Sequence, residues 1–131
     1  MNGAGWIRAG AVAGFLAVGL GAFGAHGFKE RLEELGQLDN YQTAFEYHMA
    51  HALAVIAVGL LGLHLDRSRS IQIAGWSFLV GIVIFSGSLY ILALTGLRWL
   101  GAITPIGGVA FLVGWTALAI SAGKSAKSPS P

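Results

Sequence analysis

Four stretches of this chain are apolar for about 20 residues each, the length that an α-helix needs to cross a hydrocarbon layer about 30 Å thick. The stretches run from Trp6 to Ala25, Thr43 to Leu63, Ile71 to Leu94 and Ile103 to Ala122. Only 11% of the 131 residues are charged, whereas soluble domains carry about 25%. The sequence therefore predicts an all-α integral membrane protein that folds as a four-helix bundle.

Polar residues lie between these stretches and after the last one. We expect residues 1–123 to form a single four-helix transmembrane domain and residues 124–131, KSAKSPSP, to form a disordered polar tail. In the first connection, Phe28, Leu32 and Leu35 recur at i, i+4 and i+7 with charges between them. This spacing favours a short interfacial helix between helices one and two that ends at Gly36, and a solvated helical linker is the alternative.

The cationic residues predict the orientation in the membrane. Four crossings place both termini on the same side, together with the loop DRSRS. That side carries Arg8, Arg67, Arg69, Lys124 and Lys127, and the opposite side carries Lys29, Arg31 and Arg98. By the positive-inside rule, we expect a multi-pass protein of the bacterial cytoplasmic membrane with both termini in the cytoplasm.

The composition also bears on partners and cofactors. The net charge is +2 and the lysines and arginines are scattered, whereas nucleic-acid binding needs a clustered basic face. With no cysteine, a thiolate metal site or a disulfide cannot form. We expect membrane lipids as partners, no nucleic acid and no cofactor.

Helix one carries a face of small residues, comprising Ala9, Gly10, Ala13, Gly14, Ala17, Gly21 and Ala25. Such a face lets helix backbones approach closely inside a membrane. Two interpretations follow from it: packing within the four-helix bundle, or contact with a second chain in a homo-oligomer or a larger membrane complex.

The second stretch contains an acid and two histidines, Glu46, His48 and His51. Ionisable groups inside a membrane are costly and are seldom without a role. At 100° per residue Glu46 points away from both histidines, so one helix cannot direct all three groups at a metal ion. A metal would need His48, His51 and a residue such as His26, and we predict no metal site.

Polar residues of all four helices fall in the half of the bilayer that is opposite the termini. We predict that they form a buried polar cluster, in which His26 and Glu46 are neighbours. Its members are His26, Glu46, His48, His51, Ser86, Ser88, Tyr90 and Thr104. The cluster serves either the architecture, since its members can satisfy one another where water is scarce, or an outward-open cavity.

Four segments of the chain resemble signature segments of a known family. They are GAFGAHG (21–27), TAFEYHMAHALA (43–54), FSGSLYILAL (85–94) and TPIGGVAFLVGW (104–115). The family is domain of unknown function 423, which includes transmembrane protein 256. The resemblance implies a small four-helix membrane protein without an established activity. The matching residues are His26, Glu46, Tyr47, His51, Ser86, Gly87, Ser88, Tyr90, Thr104, Pro105, Gly107 and Gly108. The family often has Gln where His48 stands.

Three classes of function fit this sequence. The leading hypothesis is a non-catalytic membrane protein that binds lipid or a partner, as a structural or accessory subunit. The alternative is a small permease or an ion or proton pathway, in which Glu46 is the titratable group of an oligomer. An enzyme or metalloprotein is third, because the sequence shows no nucleophile motif or phosphate-binding loop. The sequence predicts no catalytic residue.

Overall fold

The computed structural model describes residues 1–65 and 68–125, with only the backbone described at Ser125. All regular structure in these ranges is helical. The helices are α1 (Gly3–Ala25), α2 (Lys29–Glu34), α3 (Leu38–His64), α4 (Arg69–Gly81), α5 (Gly87–Thr95) and α6 (Thr104–Ser125). A π-helical turn over Ile82–Ser86 joins α4 to α5, and a 3-10 turn over Arg98–Ala102 precedes α6.

In the described part of the chain, four helical spans are long and apolar enough to cross a membrane: α1, α3, the span from Arg69 to Thr95, and the span from Arg98 to Lys124. The all-α fold with four membrane helices is therefore confirmed. The last helix continues through Lys124 to Ser125, where the sequence predicted the start of the tail. Residues 126–131 of that predicted tail, and Arg67 and Lys127 of the charge count, lie outside the described residues.

The spans pack as two antiparallel pairs. α1 lies along α3, α6 lies along α4 and the π-helical turn, and α3 contacts α4 and α5 in the centre. The N-terminal amine donates to Gln72 Oε1 of α4 at 2.6 Å. The start of α1 therefore lies at the same end of the bundle as the start of α4; we call this the terminal end and the opposite one the α2 end.

Small residues set the distance between α1 and α3. A Cβ atom added to Gly3 would lie 2.7 Å from the carbonyl oxygen of Gly59, and one added to Gly10 would lie 2.9 Å from that of Ala52. No side chain fits in these gaps, because real Cβ atoms do not come so close to backbone. Close packing of this kind drives helix association in membranes, where water expulsion contributes little.

The short helix α2 covers the α2 end of the bundle. Leu32 is completely buried beneath it, beside Tyr41 and Tyr90 in the same apolar cluster. The Arg31 guanidinium donates to the carbonyl oxygen of Leu94, at the end of α5, at 3.4 Å. Gly36 follows α2 with a φ of +64°, a conformation that costs a residue with a side chain about 1 kcal/mol or more. The short helix and its stop at Gly36 are thus as the sequence predicts.

Candidate functional site

In the described part of the chain, five members of the predicted polar cluster form three small groups rather than one cluster. His51 lies in one group, His48 and Tyr90 lie in a second, and Ser88 and Thr104 lie in a third. All five residues are buried. Each group joins a different pair of helices.

His51, in the middle of α3, makes a hydrogen bond with each ring nitrogen. Trp115 Nε1 donates to His51 Nε2 at 3.0 Å, and His51 Nδ1 lies 2.7 Å from the carbonyl oxygen of Tyr47. An indole N–H can only donate, so Nε2 must accept and the ring proton must be on Nδ1, where it donates to Tyr47. The ring stacks on Phe111 at a centroid distance of 3.5 Å. His51 is therefore a neutral, fully bonded packing residue that ties α3 to α6.

His48 ties α3 to α5, because its Nδ1 lies 3.1 Å from the hydroxyl oxygen of Tyr90. Tyr90 meets Tyr41 edge to face at 5.1 Å, and the Tyr41 hydroxyl donates to the carbonyl oxygen of Leu20 at 2.5 Å. These contacts connect α1, α3 and α5 near the α2 end.

The third group lies where α5 meets the start of α6. Ser88 Oγ donates to the carbonyl oxygen of Phe85 at 3.0 Å and lies 2.7 Å from Thr104 Oγ1. Two residues earlier, Ser86 is completely buried and its hydroxyl has no hydrogen-bond partner in the described part of the chain. Ser86 ends the π-helical turn, a feature that often accompanies functional sites.

Glu46 and His26 are not buried, which corrects two members of the predicted cluster. Both side chains are exposed on the outside of the bundle. Glu46 Oε1 accepts a hydrogen bond from Gln42 Nε2 at 3.1 Å, one turn earlier in α3. The predicted pairing of Glu46 with His26 was wrong, because in the described part of the chain the Glu46 carboxylate bonds Gln42 and makes no hydrogen bond or ion pair with His26.

The small-residue face of α1 packs within the chain. Gly10, Ala13 and Ala17 are buried, and a Cβ added to Gly21 would meet the Phe45 ring of α3 at 2.7 Å. The other members differ: Ala9 is half-buried, Ala25 is exposed, and a Cβ added to Gly14 would meet nothing within 4 Å. Contact with α3 therefore accounts for the buried members of this face, as the first of the two interpretations proposes, and contact with a second chain stays a prediction.

A groove of about 440 Å³ opens beside α1 near the α2 end. Its walls come from the second half of α1, from α2 and from the start of α3. The lining residues are Val18, Gly21, Ala22, Gly24, Ala25, Lys29, Leu32, Leu38, Tyr41, Gln42 and Phe45. The walls are apolar or small except at Lys29, Tyr41 and Gln42, and the Lys29 ammonium is 4.0 Å from Glu33 in an exposed ion pair.

Four of the residues that complete these arrangements were not singled out by the sequence. Trp115 and Phe111 hold His51, Tyr41 connects the His48 group to α1, and Gln42 bonds Glu46. Gln42 stands four residues before Glu46, and this i, i+4 spacing was the signal that could have found it. The other three contacts join different helices, so no local spacing reveals them.

The described residues contain no group of three or more His, Asp or Glu side chains that could hold a metal ion. His48 Nδ1 and both ring nitrogens of His51 have protein partners, and His26 is exposed on the surface. The three histidines therefore do not converge on one point.

Comparison with known proteins identifies a family. The profile described as "Protein of unknown function (DUF423)" matches residues 20–108. The UPF0382 membrane protein YwdK of Bacillus subtilis (strain 168) is 47% identical over 119 residues, which is 91% of this chain and 96% of that protein. A UPF0382 membrane protein of Haemophilus influenzae is 44% identical over a region that covers 88% of this chain and 90% of the length of that protein. No solved structure gives a significant match. Since these relatives are membrane proteins and span nearly the whole chain, this four-helix protein belongs to the DUF423, or UPF0382, family of membrane proteins of unknown function.

Proposed function

We propose that the protein is a non-catalytic membrane protein that binds a phospholipid in the groove between α1, α2 and α3. The observation that carries this proposal is the composition of the groove: a long apolar wall with one cationic side chain, Lys29, at the level of α2. An acyl chain fits the wall, and a lipid phosphate fits the ammonium group. The volume of about 440 Å³ is within the usual range of small-molecule sites, about 300–1,000 Å³.

The interior of the bundle supports a structural role for the buried polar groups. His51 has both ring nitrogens bonded to protein, and His48 bonds Tyr90. Neither histidine lines the groove beside α1. These bonds join α3 to α5 and α6, as expected of residues that fix helix positions in a medium without water.

The lipid proposal is tested by native mass spectrometry of the protein extracted with its membrane lipids. We expect one phospholipid to be retained, with anionic phosphatidylglycerol preferred over phosphatidylcholine in exchange experiments. Lys29→Glu should abolish that preference, and Ala22→Trp should displace the lipid by filling the groove. The matched controls are Arg98→Glu, a cation that does not line the groove, and Ala119→Trp, an exposed alanine of α6. Equal retention by all four variants would contradict the proposal.

The permease alternative rests on Glu46, which is the only acidic residue within the apolar part of the four spans. Glu46 faces outwards from α3, so a pathway that uses its carboxylate would have to run between copies of the chain. Proteoliposomes separate the two functions: a proton or ion flux that disappears in Glu46→Gln would favour the pathway, whereas lipid retention without flux would favour the groove.

A further inference from the structure

The outer face of α3 carries a regularly spaced row of exposed residues from Glu46 to the end of the helix. Six exposed residues in this row follow one another at intervals of four, three, four, three and four. They are Glu46, Ala50, Leu53, Ala57, Leu60 and His64; we call them the α3 stripe. Intervals alternating between three and four are those of helices that pair at a left-handed crossing of about 20°.

Glu46, at the polar end of the α3 stripe, lies at a depth in the membrane where an acidic side chain that faces lipid is unfavourable. α3 has 27 residues and is about 40 Å long, so a centred hydrocarbon layer of about 30 Å begins about 5 Å from its start. Glu46 lies about 12 Å from the start by helix rise, hence about 7 Å inside the layer. Acidic residues at such depths almost always face protein or a water-filled cavity. In the described part of the chain, the only hydrogen-bond partner of the carboxylate is Gln42.

The surroundings of Glu46 indicate what kind of group could cover it. Gln42 donates one of its two amide hydrogens to Glu46 Oε1 and retains a second hydrogen and a carbonyl oxygen. The pair therefore offers donors and acceptors together, and it is complementary to another copy of itself. The stripe also contains Ala50 and Ala57, which are exposed and small enough to let a second backbone approach.

A second copy of this chain meets these requirements for a simple geometric reason. Two copies inserted in the same orientation hold the Gln42–Glu46 pair at the same depth. A two-fold axis along the membrane normal then brings each residue of the stripe opposite its own counterpart. An unrelated helix would need a polar group at that one depth.

We propose that the α3 stripe is the interface of a parallel homodimer, in which Gln42 of each subunit donates its second amide hydrogen to Glu46 of the partner subunit. The leucines of the stripe pack between the alanines of the opposite helix. This interface is on α3, whereas the sequence had suggested helix one for contact between chains. None of the six residues of the α3 stripe lines the lipid groove, whereas Gln42 lines it and also bonds Glu46. The cross-linking test below therefore uses positions on the stripe that lie outside the groove.

Cysteine cross-linking tests the interface directly, because the natural chain has no cysteine. Ala50→Cys and Ala57→Cys should each give a disulfide-linked dimer on oxidation in native membranes, since a disulfide needs Cα atoms within about 7 Å. The controls are Val83→Cys and Leu112→Cys, whose natural side chains are 72% and 68% exposed on other parts of the bundle. These two variants should give no disulfide-linked dimer. Equal cross-linking at the control positions, or none on α3, would refute the proposal.

Two substitutions at Glu46 test the role of the polar pair. Association is measured in bilayers by energy transfer between labelled copies, at decreasing protein-to-lipid ratio. Glu46→Gln retains hydrogen-bonding groups and should stay within about threefold of wild type, whereas Glu46→Leu should weaken association about tenfold. Leucine at this depth favours insertion, so a failure to reach the membrane does not explain a loss. Association of Glu46→Leu as tight as wild type, or adducts formed only with other proteins, would overturn the homodimer.

Discussion

The hydrogen bond between His51 and Trp115 should stabilise the packing of α3 against α6, and its contribution can be measured. Trp115→Phe removes the indole donor and keeps an aromatic ring at the position. His51 is only 5% exposed, and its Nε2 accepts the Trp115 proton at 3.0 Å. After the substitution, this buried acceptor has no donor and no access to water.

The expected magnitude follows from these contacts. Leaving a buried acceptor unsatisfied costs about 1–3 kcal/mol in soluble proteins, and interhelical hydrogen bonds in membranes contribute about 0.6 kcal/mol on average and about 1.7 at most. We therefore expect Trp115→Phe to lower the free energy of unfolding by about 1–1.5 kcal/mol. His51→Leu should cost more, about 2–3 kcal/mol, because it also removes the stacking on Phe111 at 3.5 Å.

A double-mutant cycle isolates the bond from these other losses. Unfolding of the wild type, both single variants and the double variant is followed in mixed micelles at increasing denaturing detergent. Trp115→Phe should cost about 1 kcal/mol less when His51 is already leucine. Trp99→Phe is the control, because Trp99 is 63% exposed in the turn before α6 and should change stability by less than about 0.5 kcal/mol. A coupling energy near zero would refute the assignment of His51 as a bonded, neutral packing residue.

Three further expectations concern packing, the serine group and orientation. Gly59→Leu should prevent stable folding in detergent, since a Cβ there would lie 2.8 Å from the backbone of α1. Gly14→Leu is the control and should melt near the wild-type temperature, because a Cβ there would meet nothing within 4 Å. Similar melting of the two variants would contradict the close packing of α1 on α3. Ser88→Ala should lower the free energy of unfolding by about 1 kcal/mol, because it removes the hydrogen bond to Thr104. The double variant Ser88→Ala with Thr104→Val should be only slightly less stable than Ser88→Ala, and a thermal-shift assay of both variants measures the difference. A reporter fused at the C-terminus should be active in the cytoplasm, and one placed after α2 should be active outside it; the reverse activities would overturn the predicted orientation.

The sequence by itself determined the number of spans and their approximate ends. The hydrocarbon layer requires a spanning helix to be apolar over its thickness, whichever helices pack beside it. Apolar length and the scarcity of charge therefore identify membrane helices from the sequence alone. The short helix α2 was also local information, because its apolar spacing and Gly36 are contained in one segment. The small residues of helix one predicted close packing, although their pattern left open whether the partner was this chain or another.

The arrangement of polar residues depended on the tertiary structure. A position along a helix fixes the depth of a side chain and its angle relative to nearby residues, but the neighbour that lies at that angle depends on how the helices assemble. Glu46 was predicted to be buried from its depth, and it is exposed because α1 and α5 cover other sides of α3.

His51 shows the opposite outcome for the same physical reason. Its burial was anticipated from its place in an apolar stretch, but its partner Trp115 is 64 residues away and belongs to α6. Hydrogen bonds within a helix follow from sequence spacing, as between Gln42 and Glu46. Hydrogen bonds between helices depend on which helix faces are in contact. In this bundle, close contacts at glycine and alanine determine those faces.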